Sequence, residues 1–133
     1  MKVFHDGVSP LNRPIQNRSS AQLEPSDWQK LKTEHRSWCI ALSSSAGSRT
    51  NWHTHSGAQW LLIVEGRVRV QEWGQPPREV EAGDAVVIAP HEKHWHGAAP
   101  GARGVHLAVN VHAQTQWLEP VTDDQYNGAL APL

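Results

Sequence analysis

The sequence predicts an all-β domain, a sandwich or barrel of short strands. Apolar stretches of strand length recur along the chain, turn-forming Gly, Pro, Ser and Asn separate them, and no helical heptad pattern persists. At 133 residues the chain is long enough for one domain with a genuine core and too short for two of ordinary size. We therefore expect a single β domain with very little helix.

The chain divides into an arm, a strand-rich body and a tail. Residues 1–36 are expected to form an extended N-terminal arm, with a short helix over residues 25–32, that packs on the barrel or on a second subunit. Residues 37–120 form the β domain, and residues 121–133 form a C-terminal tail with a short helix over residues 122–126. Because extended arms of small β domains often pack on a neighbouring subunit, the arm predicts a homo-oligomer, a dimer or a tetramer.

The body contains strand-like segments that are bounded by turn residues. The predicted strands are 37–42, two within 60–73, 85–90 and 104–111. The two strands within 60–73 are expected to meet at a tight turn formed by Glu65 and Gly66, and Pro90 is expected to end the strand before it. Further turns are predicted at GQPP and at AGD, residues 82–84.

Charge and composition narrow the range of partners. Twelve Lys and Arg against thirteen Asp and Glu give a formal net charge of -1 without a run of like charge, which argues against nucleic acid and membrane surfaces and favours a small-molecule substrate. Cys39 is the only cysteine, which excludes a disulfide within the chain and a Cys-rich zinc site. The N-terminal residues lack the apolar segment of a signal peptide, so a cytoplasmic location is expected.

Histidine is unusually frequent, with nine in the chain, and four of these residues are paired at strand spacing. His53 and His55 lie two apart in NWHTHSGAQW, so both project from one face of a strand with backbones roughly 6.6 Å apart. Gln59 has the same parity and could reach the same point. In PHEKHWHGAA, His94 and His96 also share a face, so one of them could complete a three-His site from a second strand.

The remaining histidines and tryptophans have simpler interpretations. His5, His35 and His112 have no partner at ligand spacing and are interpreted as structural or surface residues, and His91 as a turn residue. A single H-x-H on a strand is more often packing or surface histidine than ligand. The conjunction of two such pairs, each bounded by glycines, in a chain with a β-barrel pattern favours a metal site.

Two segments together resemble the signature motifs of the cupin superfamily. The spacing from Gly47 through His53, His55 and Gln59 to Gly66 resembles the first motif, with Gln59 where a Glu is usual. The segment GDAVVIAPHEKHWHG resembles the second motif, although it has His91 where a turn glycine is usual and Ala98 where Asn is frequent; His91 would have to adopt that turn's backbone. The resemblance covers residues 38–111 and implies a single-domain double-stranded β-helix, or jelly-roll barrel.

The segments RTNWHTH, EKHWHGAAP, HLAV and VTDDQY, with Gln59, also resemble the small bacterial manganese-dependent cupin hydroxynitrile lyases. This resemblance implies one divalent metal per chain, with Mn²⁺ favoured and Fe²⁺, Ni²⁺ or Zn²⁺ as alternatives. The implied ligands are His53, His55, Gln59 and His94. His106 is implied as the acid-base residue, with His96 as the alternative.

These features lead to a preferred function and two alternatives. We expect a lyase acting on a small hydroxylated or carbonyl compound such as a cyanohydrin; the alternatives are an Fe²⁺-dependent dioxygenase and a non-catalytic metal- or ligand-binding module.

Ile40 and Leu42 are bulkier than the lyase activity would suggest. Because ligating imidazoles must be neutral, metal loss is expected below about pH 6. The residues expected to line the substrate pocket are Ile40, Leu42, Thr50, Trp52, Leu61, Ile63, Val109 and Asn110.

Overall fold

The computed structural model describes residues 1–5 and 38–129, which form nine strands and one short helix. The elements are β1 (Lys2–Phe4), β2 (Trp38–Ser44), β3 (His53–His55), β4 (Gln59–Glu72), β5 (Arg78–Glu81), β6 (Ala85–Ile88), β7 (His94–Ala98), β8 (Gly104–Asn110), β9 (Thr115–Trp117) and α1 (Asp123–Tyr126). In the described part of the chain the strands dominate, which confirms the predicted all-β class. No helix of that part is long and apolar enough to cross a membrane.

The strands form two antiparallel five-stranded sheets that share β4. In the first sheet, sheet A, the order is β1-β6-β4-β8-β2. In the second, sheet B, the order is β5-β4-β7-β3-β9. Since one long strand passes from one sheet into the other, the two sheets enclose a common interior, as in a jelly-roll barrel.

The predicted turn at Glu65 and Gly66 is wrong, because β4 continues through both residues. Its first half pairs with β6 and β8 and its second half pairs with β5 and β7, with a register shift between Ile63 and Glu65. Gly66 has a φ of 70°, and the carbonyl oxygen of Arg103 occupies the space that a Cβ would need. The glycine therefore bends a continuous strand between the sheets instead of closing a hairpin.

The other predicted elements agree with the structure where it describes them. The segments 37–42, 85–90 and 104–111 correspond to β2, β6 and β8 within two residues at each end. The helix over residues 122–126 is confirmed as α1, which begins after Thr122 with a capping box. Of the N-terminal arm, Lys2–Phe4 forms β1 and pairs with β6, whereas the predicted helix over residues 25–32 lies outside the described residues.

The interior of the barrel holds an apolar core against which Leu42 packs. Its members come from β4, β5, β6 and β8 and are Leu61, Ile63, Val68, Val70, Val80, Val86, Ile88 and Ala108. All eight are nearly inaccessible to water, since none is more than 4% exposed. The core residues Ile63, Val70 and Ile88 are the register partners of the buried polar residues His106, His96 and Gln59, so the apolar core adjoins the polar residues.

A second apolar cluster lies on the opposite face of sheet B, under the C-terminal segment. It contains Trp52, Trp95, Val121 and Tyr126. Trp52 Nε1 donates to Gln125 Oε1 at 3.1 Å, so this ring is held against α1. The prediction that Trp52 lines the interior pocket is therefore wrong, because successive strand residues face opposite sides and Trp52 directly precedes the interior His53.

Candidate metal centre

Four polar side chains converge inside the barrel. His53 and His55 lie on β3, Gln59 begins β4 and His94 begins β7. None of the four is more than 3% exposed. His53 and His94 are direct register partners across the β3–β7 pair, which places their side chains on the same interior face.

The side chains of these residues are in close contact. His94 Nε2 lies 3.0 Å from Gln59 Oε1. The ring centroids of His53 and His94 are 4.2 Å apart, those of His53 and His55 are 4.9 Å apart, and those of His55 and His94 are 5.3 Å apart. The fold thus brings together three imidazoles and one amide oxygen from three different strands.

Backbone carbonyls fix the tautomers of two of these imidazoles. His53 Nδ1 donates to the Asn51 carbonyl oxygen at 2.8 Å, and His94 Nδ1 donates to the Glu92 carbonyl oxygen at 2.7 Å. A carbonyl can only accept, so Nδ1 is protonated in both rings and Nε2 is left with its lone pair. This outer hydrogen bond is typical of metal-ligating histidine.

His55 is oriented by a side chain instead. Its Nδ1 lies 2.9 Å from Thr115 Oγ1 on β9, while its Nε2 is buried without any hydrogen-bond partner. Burial of an unpaired imidazole nitrogen is unfavourable, so this atom fits a site completed by a bound cation. The donor set of imidazole nitrogens and an amide oxygen suits a divalent transition metal.

The protonation states agree with metal ligation. Burial lowers the pKa of His53 below its ordinary value, that of His55 to about 4 and that of His94 to about 3. The neighbouring imidazoles lower the pKa of His55 and His94 further, because a second positive charge in the same interior is unfavourable. All three rings are therefore neutral at pH 7, which is the form that binds metal.

His96 and His106 form a second buried histidine pair. His106 Nε2 lies 3.0 Å from His96 Nδ1, and both rings are at most 3% exposed. One nitrogen each from His53, His94 and His96 also lie within 4.8 Å of one another, so His96 is a further candidate ligand. The nitrogen distances thus favour His96 as the third imidazole, whereas His55 offers an Nε2 that is buried without a partner, so both remain candidate ligands.

Comparison with known proteins decides the family. Residues 44–111, more than half of the chain, match the Cupin domain family. The chain belongs to the cupin family. It is 43% identical over 83 residues to an (R)-mandelonitrile lyase of Granulicella tundricola, a match that covers 60% of this chain and 63% of that protein. This cupin thus matches less than two thirds of the length of that lyase.

Solved structures agree with the family assignment. A cupin-like protein from Thermotoga maritima is 34% identical with a TM-score of 0.69, and the match covers 72% of this chain and 74% of that one. A variant of Bacillus subtilis oxalate decarboxylase has a TM-score of 0.57 at 15% identity, over 68% of this chain and 26% of that one. At that identity the second likeness concerns the fold alone. The findings confirm a small single-domain cupin that resembles the hydroxynitrile lyases.

Of the other residues predicted to line the pocket of this cupin, some face the barrel interior and one faces away from it. Leu61 and Ile63 belong to the interior core. Thr50 Oγ1 accepts from the backbone N–H of His96 at 3.2 Å. Ile40 is the register partner of Ala108. The prediction that Val109 lines the pocket is wrong, because Val109 pairs with the exposed Trp60 and faces away from the interior.

Asn110 differs from all of these because its side chain lacks partners. It is fully buried, it is the register partner of Gln59 across the β4–β8 pair, and neither its Oδ1 nor its Nδ2 has a hydrogen bond. His106 Nδ1 is likewise buried without a partner. These atoms are available to a bound molecule.

Sequence reasoning missed two residues of β9 that contact the candidate ligands. Thr115 holds His55, and the ring of Trp117 lies 4.7 Å from that of His53, centroid to centroid. Their spacing of two residues was visible in the sequence, but β9 is three residues long and lacks the apolar alternation that identifies a strand.

His91 does adopt the left-handed turn backbone that the second motif requires, with a φ of 64°.

Proposed function

We propose that this cupin is a metal-dependent lyase that cleaves small hydroxynitriles into a carbonyl compound and hydrogen cyanide. The observation that supports the proposal is the convergence of His53, His55, Gln59 and His94 in the barrel interior. The identity to an (R)-mandelonitrile lyase supports hydroxynitriles as the substrate class. The same site would run the reverse reaction, addition of cyanide to an aldehyde.

These four residues would hold one divalent ion, with Mn²⁺ as the first candidate and Fe²⁺, Ni²⁺ or Zn²⁺ as alternatives. All four donors are neutral, so none of the ion's charge is cancelled by the protein. A dication held in this way supplies Lewis acidity that stabilises negative charge on a substrate oxygen.

His106 is the proposed proton acceptor. Its Nδ1 has no partner, its Nε2 is held by His96, and burial lowers its pKa to about 4, so the ring is neutral at pH 7 and has a nitrogen lone pair to accept a proton. It would take the hydroxyl proton while the carbon–carbon bond breaks and the electron pair leaves with cyanide. The proton then passes to cyanide, which leaves as hydrogen cyanide and restores the neutral imidazole.

Asn110 is the proposed contact for the rest of the substrate. Its amide offers one acceptor and two N–H donors inside the barrel, all without partners. The N–H groups suit the nitrile nitrogen, on which negative charge grows as cyanide leaves. The apolar side chains of Leu42 and Ile63 flank His106, their register partner on β8, and Leu61 packs in the same core.

The test is a cleavage assay on protein purified without chelator or affinity metal and reconstituted with Mn²⁺. We expect benzaldehyde and hydrogen cyanide to appear from mandelonitrile without oxygen uptake, and His106→Ala to lower kcat/KM by about 100-fold or more. His112→Ala, at an exposed position, is the matched control.

Other outcomes would point to the alternatives. Oxygen uptake with Fe²⁺, together with no hydroxynitrile cleavage, would favour a dioxygenase. Stoichiometric metal without turnover would favour a binding module, and full activity in His106→Ala would contradict the assigned base.

A further inference from the structure

Trp117 stands beside the candidate metal ligands and remains largely open to solvent. It lies on β9, the last strand of sheet B in the described part of the chain, and is the register partner of His53. The two ring centroids are 4.7 Å apart with their planes at 45°, yet Trp117 is 60% exposed. One part of the indole therefore covers a candidate ligand, while most of its surface is exposed among the described residues.

Packing explains other tryptophans of this chain but does not explain Trp117. Trp52 and Trp95 are fully buried, and their Nε1 atoms donate to Gln125 and Gln71. A large exposed aromatic surface in contact with a buried polar cluster is an informative feature, since such surfaces are typical of ligand contacts. An indole also favours offset or edge-on contact with a second aromatic ring.

We infer that Trp117 determines specificity by providing a wall on which an aromatic substituent of the substrate stacks. This inference rests on the proposed function and assigns recognition of the aryl group of aryl-substituted hydroxynitriles and aldehydes to one residue. Such molecules have the ring attached directly to the carbon that bears the oxygen. If the substrate oxygen binds among the histidines, the aromatic ring of the substrate lies one bond from the oxygen-bearing carbon. It is then close enough to contact the indole of Trp117, which itself contacts His53.

The test measures binding, with turnover as a separate readout. Protein reconstituted with Mn²⁺ is titrated calorimetrically with benzoate and with acetate, which share a carboxylate but differ in the ring. Trp117→Leu keeps an apolar side chain and removes the aromatic face. Trp60→Leu, at an exposed tryptophan on the outer face of sheet A, is the matched control, and metal content is measured in every sample.

We expect the parent to bind benzoate more tightly than acetate and Trp117→Leu to weaken benzoate binding about 3- to 10-fold. Acetate binding should stay within about twofold in both variants, since a mere carboxylate does not reach the indole. Trp60→Leu should change neither ligand.

Three results would overturn the inference: equal benzoate affinity in Trp117→Leu and parent, an equal loss for benzoate and acetate, or no preference for benzoate in the parent. An equal loss would mean that Trp117 acts only by supporting His53. Binding does not require turnover, so the two proposals can fail separately. A Trp117-dependent preference for benzoate without hydroxynitrile cleavage would contradict the lyase function and support the role of Trp117. Hydroxynitrile cleavage without that preference would support the lyase function and contradict the role of Trp117.

Discussion

At the scale of single residues, the candidate metal centre depends on groups that touch no ligand. Backbone carbonyls hold His53 and His94, so these two orientations survive most side-chain changes. His55 instead depends on one hydroxyl, that of Thr115 on the neighbouring strand. The site is therefore most sensitive to substitution at β9.

Thr115→Val should weaken metal binding by about 10- to 100-fold, because His55 Nδ1 loses the partner that orients its ring. The measurement is a competition titration of Mn²⁺ against a chelator of known affinity. Thr54→Val is the control, since Thr54 lies between the two ligand histidines and faces away from them. Equal affinities in the two variants would show that Thr115 has no role in positioning His55.

Asn110→Leu should raise the stability of the metal-free protein and abolish hydroxynitrile cleavage. The leucine is similar in volume and removes two buried polar atoms without partners, so the metal-free protein should gain about 1–3 kcal/mol in its free energy of unfolding. Thermal unfolding of metal-free protein measures this gain, and the same variant should lose hydroxynitrile cleavage. A lower melting temperature in Asn110→Leu would mean that the amide has a structural partner.

At the scale of elements, the bend in β4 allows one strand to serve both sheets. The bend requires a left-handed backbone at Gly66, directly against the backbone of Arg103. Without it, Gln59 in the first half of β4 would not share an interior with the histidines that sheet B contributes.

Gly66→Ala should therefore destabilise the fold by about 3 kcal/mol, from the unfavourable φ and the clash together. Gly101→Ala is a matched control, because Gly101 has a φ of 67° and open space where the Cβ would lie. That variant should lose only about 1 kcal/mol, the conformational cost alone. Chemical denaturation of the two proteins measures the difference, and equal losses would contradict the close approach of Arg103.

At the scale of the whole molecule, the outer faces of the two sheets differ in their exposure to solvent. The C-terminal segment covers the outer face of sheet B, and Tyr126 Oη donates to the Ala98 carbonyl oxygen at 2.7 Å. On the outer face of sheet A, Trp60, Leu62 and Val64 occupy alternate positions of β4 and are exposed. Exposed apolar side chains in such a row favour association with a second molecule.

We accordingly expect a homodimer in which the outer faces of two sheets A pack together. Leu62→Glu should shift the protein to monomer, because a carboxylate at the centre of an apolar interface loses its hydration without a partner. Light scattering coupled to size-exclusion chromatography measures the mass. Gln116→Glu adds the same charge at an exposed position on β9, and a monomeric parent would contradict the expectation.

The buried histidines make the stability of the metal-free protein depend on pH. Burial lowers the pKa of His55 and His106 to about 4 each, below the ordinary 6.5 that they regain on unfolding. The unfolded chain then binds more protons between these values, so the free energy of unfolding falls as the pH drops from 6.5 toward 4. Each such histidine contributes a loss of up to about 1.4 kcal/mol per pH unit.

Thermal unfolding of metal-free protein across this interval tests the sign, and a stability that rises on acidification would contradict neutral interior histidines. The lowered pKa also moves the expected metal loss from below about pH 6 toward pH 4, the value of His55. Metal content after dialysis at successive pH values measures the release.

The sequence alone determined the class of fold and predicted the donor set of the candidate metal centre. Strand lengths, turn residues and the alternation of side chains are local properties, so β2, β6, β8 and α1 were predictable within a residue or two. The same alternation placed His53 beside His55, and the two motifs identified Gln59 and His94 as their partners.

Only the tertiary structure decided which face of each strand is interior and what covers the other. Trp52 lies outside the barrel because the C-terminal segment, far away in sequence, packs on that face. Thr115 and Trp117 reach the histidines because β9 pairs with β3, about sixty residues earlier in the chain. Register between distant strands depends on contacts that no short stretch of sequence contains, so these parts of the site became visible only in the fold.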